Sequence, residues 1–292
     1  MKLAVYGQYY QNTYNEVIEQ LLHFSENQKV HLIFEEKFYK KIIHLLNSDF
    51  QTFKNREELG NDTTVFVSIG GDGTILRAAT FVKDSGIPIL GINVGRLGFL
   101  ASIPKESIKE HLDRVLRGEF SLSKRTVLGL QTSIACPELD EIDFALNEIS
   151  INRKDTTSMI TIETYLNNEY LNSYWADGLI ISTPTGSTGY SLSCGGAVLF
   201  PEAKGLIITP IAPHNLNVRP IVIAEDTKIR LRVSGREKYY LVSLDSRIIT
   251  MSNQTELVVQ KKPFDINMVS FEDKSFIQTL RNKLLWGEDK RN

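Results

Sequence analysis

Over the first ~120 residues, solid apolar runs alternate with stretches in which apolar residues recur every three or four positions. Leu3-Ala4-Val5-Tyr6, Val30-His31-Leu32-Ile33-Phe34 and Val65-Phe66-Val67-Ser68-Ile69 are runs of the first kind, read as buried strands. Val17, Ile18, Leu21, Leu22 and Phe24 form one helical stripe, and Phe38, Ile42, Ile43, Leu45 and Leu46 form a second. A helix over 74–83 then leads into a strand from Ile87 to Asn93, and a helix over about 104–117 carries Ile108, Leu112, Val115 and Leu116, with Gly118 as its stop. Strand and helix in alternation predict a parallel sheet with helices on its faces.

Beyond this point the rhythm changes to period two. Candidate strands are Val127 to Ser133, Ile149 to Asn152, Met159 to Tyr165, Gly178 to Ser182, Leu206 to Pro210, Lys228 to Val233, Tyr239 to Ser243 and Glu256 to Gln260. Asn167-Asn168 reads as a hairpin turn. Phe276, Leu280, Leu284 and Leu285 mark a closing amphipathic helix. The expected fold class is therefore an α/β N-terminal domain with a parallel sheet over 1–120, followed by an all-β domain over 121–272. The helix over 273–286 is expected to pack back onto the first domain.

Bulk properties narrow the function. A chain of 292 residues exceeds the usual single-domain size, in agreement with two domains. The near balance of 35 acidic against 33 basic residues provides no electrostatic footprint for a polyanion, so nucleic acid is not an expected partner. Cys136 and Cys194 stand far apart, offering neither a disulfide framework nor a metal pair, which suits a cytoplasmic protein. No apolar run is long enough for a bilayer, and the first residues read as a strand rather than a signal peptide, so no membrane partner is expected.

The most informative feature is Gly70-Gly71-Asp72-Gly73-Thr74, lying directly between a strand and the helical run Ile75-Leu76-Arg77-Ala78-Ala79. Glycines this close together let a ligand approach the backbone amides, and unpaired amides at a helix start attract phosphate. The spacing matches neither the P-loop nor the dinucleotide fingerprint. An aspartate beside phosphate adds repulsion, so Asp72 needs a task that outweighs it: holding a metal ion, or taking a proton from an attacking hydroxyl.

Two further clusters carry polar chemistry. Ser182-Thr183-Pro184-Thr185-Gly186-Ser187-Thr188 is a tight loop of small donors and acceptors suited to the edges of a base or ribose; the alternative is a Ser/Thr turn capping a helix from Thr188. Asn147-Glu148 lies between apolar strand neighbours, where alternation turns one side chain inward. An inward pair suggests a ligand, and a solvated strand edge is the other reading. His23, His31, His44 and His111 show no ligand spacing, while His214 lies in a loop that could touch substrate.

Taken together, Gly70-Gly71-Asp72-Gly73-Thr74, Asn147-Glu148, Asp177-Gly178 with Ser182 to Thr188, and Thr209-Pro210-Ile211-Ala212-Pro213-His214 resemble the NAD kinase family. The resemblance implies transfer of the ATP γ-phosphoryl group to the 2′-hydroxyl of the adenosine ribose of NAD. It further implies a homo-oligomer and a divalent metal ion, magnesium, carried with ATP, with no metal site of the protein's own assigned. By motif, Asp72 would be the catalytic residue at the accepting hydroxyl, Gly70, Gly71 and Gly73 would let phosphate approach, and Thr74 and Arg77 would be further substrate or nucleotide contacts. Asn147 and Glu148 would hold the adenosine half, and Thr185, Thr188 and Tyr190 would surround adenine and ribose, with Gly189, Ser191, Leu192, Ser193 and Ala212 completing the nucleotide contacts. Phe99 resembles the aromatic residue near the nicotinamide, and Asp177 belongs to the part of the site that a neighbouring subunit can complete. Three positions depart from the family pattern: Gly189 replaces a common alanine, Trp175 a frequent arginine, and Asp245-Ser246-Arg247 a frequent Asp-Gly-Gln. Trp175 and Arg247 fall where the family contacts NAD's distal phosphate or nicotinamide end.

Overall fold

The computed structural model describes residues 1–8, 13–95, 98–101, 103–155, 158–215, 217–272 and 275–285. Its elements begin with β1 (Lys2–Gly7), α1 (Thr13–Gln28), β2 (His31–Glu35), α2 (Glu36–Ile42), β3 (Gln51–Phe53) and α3 (Arg56–Leu59). There follow β4 (Val65–Gly70), α4 (Asp72–Val82), β5 (Ile89–Asn93), β6 (Ile103–Pro104), α5 (Ile108–Leu116) and β7 (Ser121–Arg125). Strands then dominate: β8 (Leu128–Thr132), β9 (Phe144–Ala145), β10 (Glu148–Arg153), β11 (Ile160–Leu166), β12 (Glu169–Ala176) and β13 (Gly178–Ser182). After a short α6 (Tyr190–Ser193) come β14 (Gly205–Ile211), β15 (Ile221–Ala224), β16 (Ile229–Ser234) and β17 (Tyr239–Leu244). The chain finishes with β18 (Arg247–Ser252), β19 (Leu257–Lys261), β20 (Ile266–Ser270) and α7 (Phe276–Leu284).

The chain divides into two compact units, Met1–Ser123 with Ile266–Asn292, and Lys124–Asp265. In the first, the strand order is β3-β2-β1-β4-β5-β20-β7, with β6 beside β5, and the pairs from β3 through β20 are parallel. The apolar runs that predicted these strands are buried, as expected for a sheet covered on both faces: Leu3, Val5, Val65, Val67 and Ile69 have no exposed surface. Stripe residues Val17, Ile18, Leu21 and Phe38, Ile42 pack against them in one core. Each such side chain contributes about 1.5–3 kcal/mol of burial.

Three differences from the sequence reading concern this unit. The expected β-rich span of 121–272 runs past its end: β20 leaves the second unit and inserts beside β5, Met268 opposite Ile89. Its short half-buried pattern looks like any strand before it, so sequence alone does not reveal which sheet it joins. The helix expected over 74–83 starts earlier, at Asp72, and the second stripe breaks after Ile42 into a single 3-10 turn. The closing helix belongs to the first unit, where the rings of Phe276 and Phe99 lie 6.3 Å apart.

The second unit holds two antiparallel six-stranded sheets, ordered β15-β14-β13-β10-β17-β18 and β12-β11-β16-β19-β8-β9. Their alternate residues meet in one core that includes Ile149, Ile151, Leu179, Ile181 and Val242 from one sheet and Leu130, Ile162, Leu231 and Leu257 from the other. The β11–β12 hairpin turns at Asn167-Asn168, both with positive φ (49° and 72°), a conformation that asparagine tolerates and hairpins require. Among the described residues no helix is long and apolar enough to cross a membrane.

Candidate active site

In the first unit the chain winds from β1 outward to β2 and β3, then returns to β4 on the opposite side of β1. Ligands of open α/β sheets lie beyond the carboxyl ends of the strands at such a reversal, and that is where β4 runs into the glycine turn. Gly70 has φ of 151°, and a Cβ there would lie 2.2 Å from Thr74 Oγ1, so the position admits no side chain. Gly71 and Gly73 are different: a Cβ on either would meet nothing within 4 Å. Packing does not demand these two glycines, and the space beside them is open. Thr74 is buried behind Gly70, and Arg77 lies exposed on α4.

Asp72 occupies the first turn of α4, where its charge also suits the helix dipole. Its carboxylate accepts three backbone N–H groups of the loop after β5, from Phe99 to Oδ2 at 2.8 Å and from Leu100 and Ala101 to Oδ1 at 3.0 Å. This clamp was not visible in the sequence, which suggested only a task toward ligand. Gly98 makes it possible, since a Cβ there would sit 1.9 Å from Asp72 Oδ1. A carboxylate offers about four acceptor positions, and the described residues fill three of them on the half-buried Asp72. Phe99 thus meets Asp72 by its backbone and Phe276 by its ring.

In the second unit, antiparallel register brings the other two clusters together. Glu148 opposes Ser182 across β10 and β13, so Asn147 and the loop from Thr183 leave the sheet side by side. Thr183 fastens them: its amide donates to Asn147 O at 2.9 Å and its hydroxyl to Leu146 O at 2.7 Å. Gly186, whose Cβ would lie 2.2 Å from Asn147 O, allows this approach. On the other flank Asp245 accepts the amides of Leu146, Asn147 and Glu148 at 3.0, 2.8 and 3.3 Å, and returns its own N–H to Glu148 O at 3.0 Å.

The backbone from Leu146 to Glu148 is therefore fully paired, while side chains beside it are not. Asn147 Oδ1, Glu148 Oε2 and Thr185 Oγ1 are all buried and, among the described residues, without a hydrogen-bond partner. Each costs about 1–3 kcal/mol in that state, a penalty that a ligand bearing hydroxyl or amino groups removes. Burial, reinforced by the neighbouring charge of Asp245, pushes the Glu148 carboxyl up to about 8, against a hydrogen bond from the Tyr190 backbone.

The remaining expected residues have mixed settings. Thr188 bonds back to Thr185 O at 3.3 Å, within a 3-10 turn over Thr185–Thr188, and the helix from Tyr190 is a single turn. Gly189 lies against this pair, its Cβ position 3.3 Å from Glu148 Oε2. Tyr190 and Ser193 are exposed and Leu192 half-buried, whereas Ser191 is fully buried, its hydroxyl 2.8 Å from Thr209 Oγ1. Asp177 forms an ion pair with Arg153 at 3.1 Å. Trp175 is 48% exposed, its ring 4.3 Å from that of His214, and the exposed Ala212 adopts a positive φ of 43°. Arg247 donates to the carbonyls of Ile142 and Phe144, a loop-holding task that sequence reading did not foresee. Among the described residues no group of three or more His, Cys, Asp or Glu gathers as a metal centre.

Comparison with known proteins agrees with this organisation. Residues 4–120 match the model of the ATP-NAD kinase N-terminal domain, and residues 146–271 that of the ATP-NAD kinase C-terminal domain. The chain is 56% identical to an NAD kinase of Flavobacterium psychrophilum over 100% of both chains, and 40% identical to one of Bacteroides fragilis, again over 100% of both. Its fold is shared with the crystal structure of yeast NADH kinase complexed with NADH (TM-score 0.86, 23% identity, 99% of this chain and 88% of that one). An NAD kinase from Archaeoglobus fulgidus in complex with ATP is similar too (TM-score 0.73, 24% identity, 98% and 99%).

Proposed function

The chain belongs to the NAD kinase family, and from that premise we propose that it transfers the γ-phosphoryl group of ATP to the 2′-hydroxyl of the adenosine ribose of NAD, yielding NADP. The observation that carries this reading to the site is the trio of buried, unpartnered atoms Asn147 Oδ1, Glu148 Oε2 and Thr185 Oγ1. Their mix of acceptors and a hydroxyl suits the ribose and base of an adenosine.

Phosphoryl transfer asks mainly for alignment and charge neutralisation, because its transition state is loose. The 2′-oxygen forms a bond to the γ-phosphorus as the bridge to the β-phosphate breaks and ADP departs. The hydroxyl proton passes to Asp72. An aspartate is too weak a base to remove that proton beforehand, so Asp72 orients the hydroxyl and accepts the proton as the new bond develops. Its three amide bonds fix the carboxylate for that purpose. The open amide-rich space at Gly71 and Gly73 receives phosphate, and magnesium arrives with ATP as part of that substrate.

This reading places the protein in the cytoplasm, supported by its two unpaired cysteines. It also makes the enzyme a homo-oligomer, the arrangement in which a neighbouring subunit completes the part of the site to which Asp177 belongs. Incubation with NAD, magnesium and γ-labelled ATP tests the activity: label is expected in NADP, and a labelled product other than NADP, or none, refutes it.

A further inference from the structure

We propose that Asp245 is a positioning residue of the nucleotide site: its carboxylate clamps the Leu146–Glu148 backbone and, as a fixed neighbouring negative charge, keeps Glu148 in the neutral acid form that binds the nucleotide. The inference rests on the NAD kinase reading and deepens it. Two acids share this corner, and their hydrogen bonds decide which one holds the proton. Asp245 accepts three consecutive amides, each of which favours a charged acceptor. Glu148 Oε2 is buried with no donor among the described residues. The charge therefore resides on Asp245 and the proton on Glu148.

The surroundings support this division. Burial leaves Asp245 raised above the ordinary carboxylate range, although the three amides and the Arg247 guanidinium oppose that push. For Glu148, burial and Asp245 act in the same direction and only the Tyr190 backbone opposes them. The Tyr190 phenol is itself raised, by partial desolvation and then by the charges of Cys194, Asp177 and Glu148, and stays neutral. Asp245 adopts φ of 53° at the turn between β17 and β18, a left-handed conformation that aspartate tolerates and that lets one residue offer both its carboxylate and its N–H to β10. A neutral Glu148 offers an O–H to a ribose or base and adds no repulsion toward the phosphates of a dinucleotide.

Equilibrium binding of NAD, without ATP, provides the test across about pH 6 to 9. For the wild-type protein the dissociation constant is expected to rise about 10-fold per unit above about pH 8, and for Glu148→Gln to stay flat. In Asp245→Asn the charge is gone, so weakening sets in at lower pH. The ratio of variant to wild-type dissociation constants should then shrink at least ~3-fold between about pH 7.5 and pH 6. In the Glu148→Gln background that ratio should not move. A purely structural role for Asp245 predicts a ratio independent of pH, and observing that overturns the proposal. Should Asp245→Asn fail to fold, the wild-type profile decides: a flat one, or a limb that persists in Glu148→Gln, overturns it equally. A wild-type protein that binds NAD at no pH refutes the NAD reading itself, and this inference with it.

Discussion

The two units use one device for opposite ends. In each, an aspartate carboxylate accepts three consecutive backbone amides: Asp72 from Phe99 to Ala101, and Asp245 from Leu146 to Glu148. At the glycine turn the clamped, half-buried carboxylate is itself the reagent in the proposed reaction. At the strand β10 turn the clamped carboxylate stays behind the site and presents others, leaving Asn147, Glu148 and Thr185 with unmet hydrogen bonds. Three amides fix a carboxylate in either case. What differs is whether the fixed group or its neighbours face the ligand, and single substitutions can separate the two.

The largest effect is expected at Gly98. Gly98→Ala places a methyl 1.9 Å from Asp72 Oδ1, so the carboxylate must leave its amides. Misplacement by about 1 Å costs roughly 100-fold in rate, and turnover should fall at least that far while NAD affinity changes little. Steady-state kinetics beside a binding titration checks this; normal turnover would mean that the Asp72 clamp is dispensable.

Thr183→Val should weaken the second turn instead. It strips partners from Leu146 O and the Gly186 amide, both within a buried setting. Loss of about 2–3 kcal/mol in a urea unfolding midpoint and a raised KM for NAD are expected, with kcat less affected. An effect on kcat alone would break the proposed division of labour.

A pH-dependent effect, smaller per pH unit, belongs to Glu148. Its carboxyl is raised from 4.5 to about 8 in the folded protein. Between those values the native state keeps a proton that the unfolded chain releases, so rising pH favours unfolding, by at most ~1.4 kcal/mol per pH unit. The stability this neutral acid contributes is present in full below 4.5 and lost as pH passes through about 8. Glu148→Gln should flatten that slope in melting temperatures taken over the window. A variant with the wild-type slope would place the proton elsewhere.

Much of this was legible in the chain, for physical reasons. Solid apolar runs such as Val65 to Ile69 are what a doubly covered sheet needs, and Asn167-Asn168 fits the positive φ of its turn. The glycine turn stood out because no other composition gives the same open backbone. Polar strands were missed: Gln51–Phe53 and Ser121–Arg125 lie at the two edges of their sheet and show no apolar run. The clamps were invisible because they join distant segments, Asp245 reaching residues 97 to 99 positions away. Arg247, which falls where the family contacts NAD's distal phosphate or nicotinamide end, donates to carbonyls over a hundred positions upstream, a pairing no local pattern encodes.

The central claim is that Asp72 receives the proton of the accepting hydroxyl. Asp72→Asn, assayed for NAD affinity, magnesium–ATP affinity and labelled NADP formation, tests it most directly. Binding of both substrates within a few-fold of wild type, with turnover reduced by about 100-fold or more, is the predicted result. Turnover near the wild-type rate, or a collapse of magnesium–ATP affinity that marks the carboxylate as a metal ligand, would contradict it.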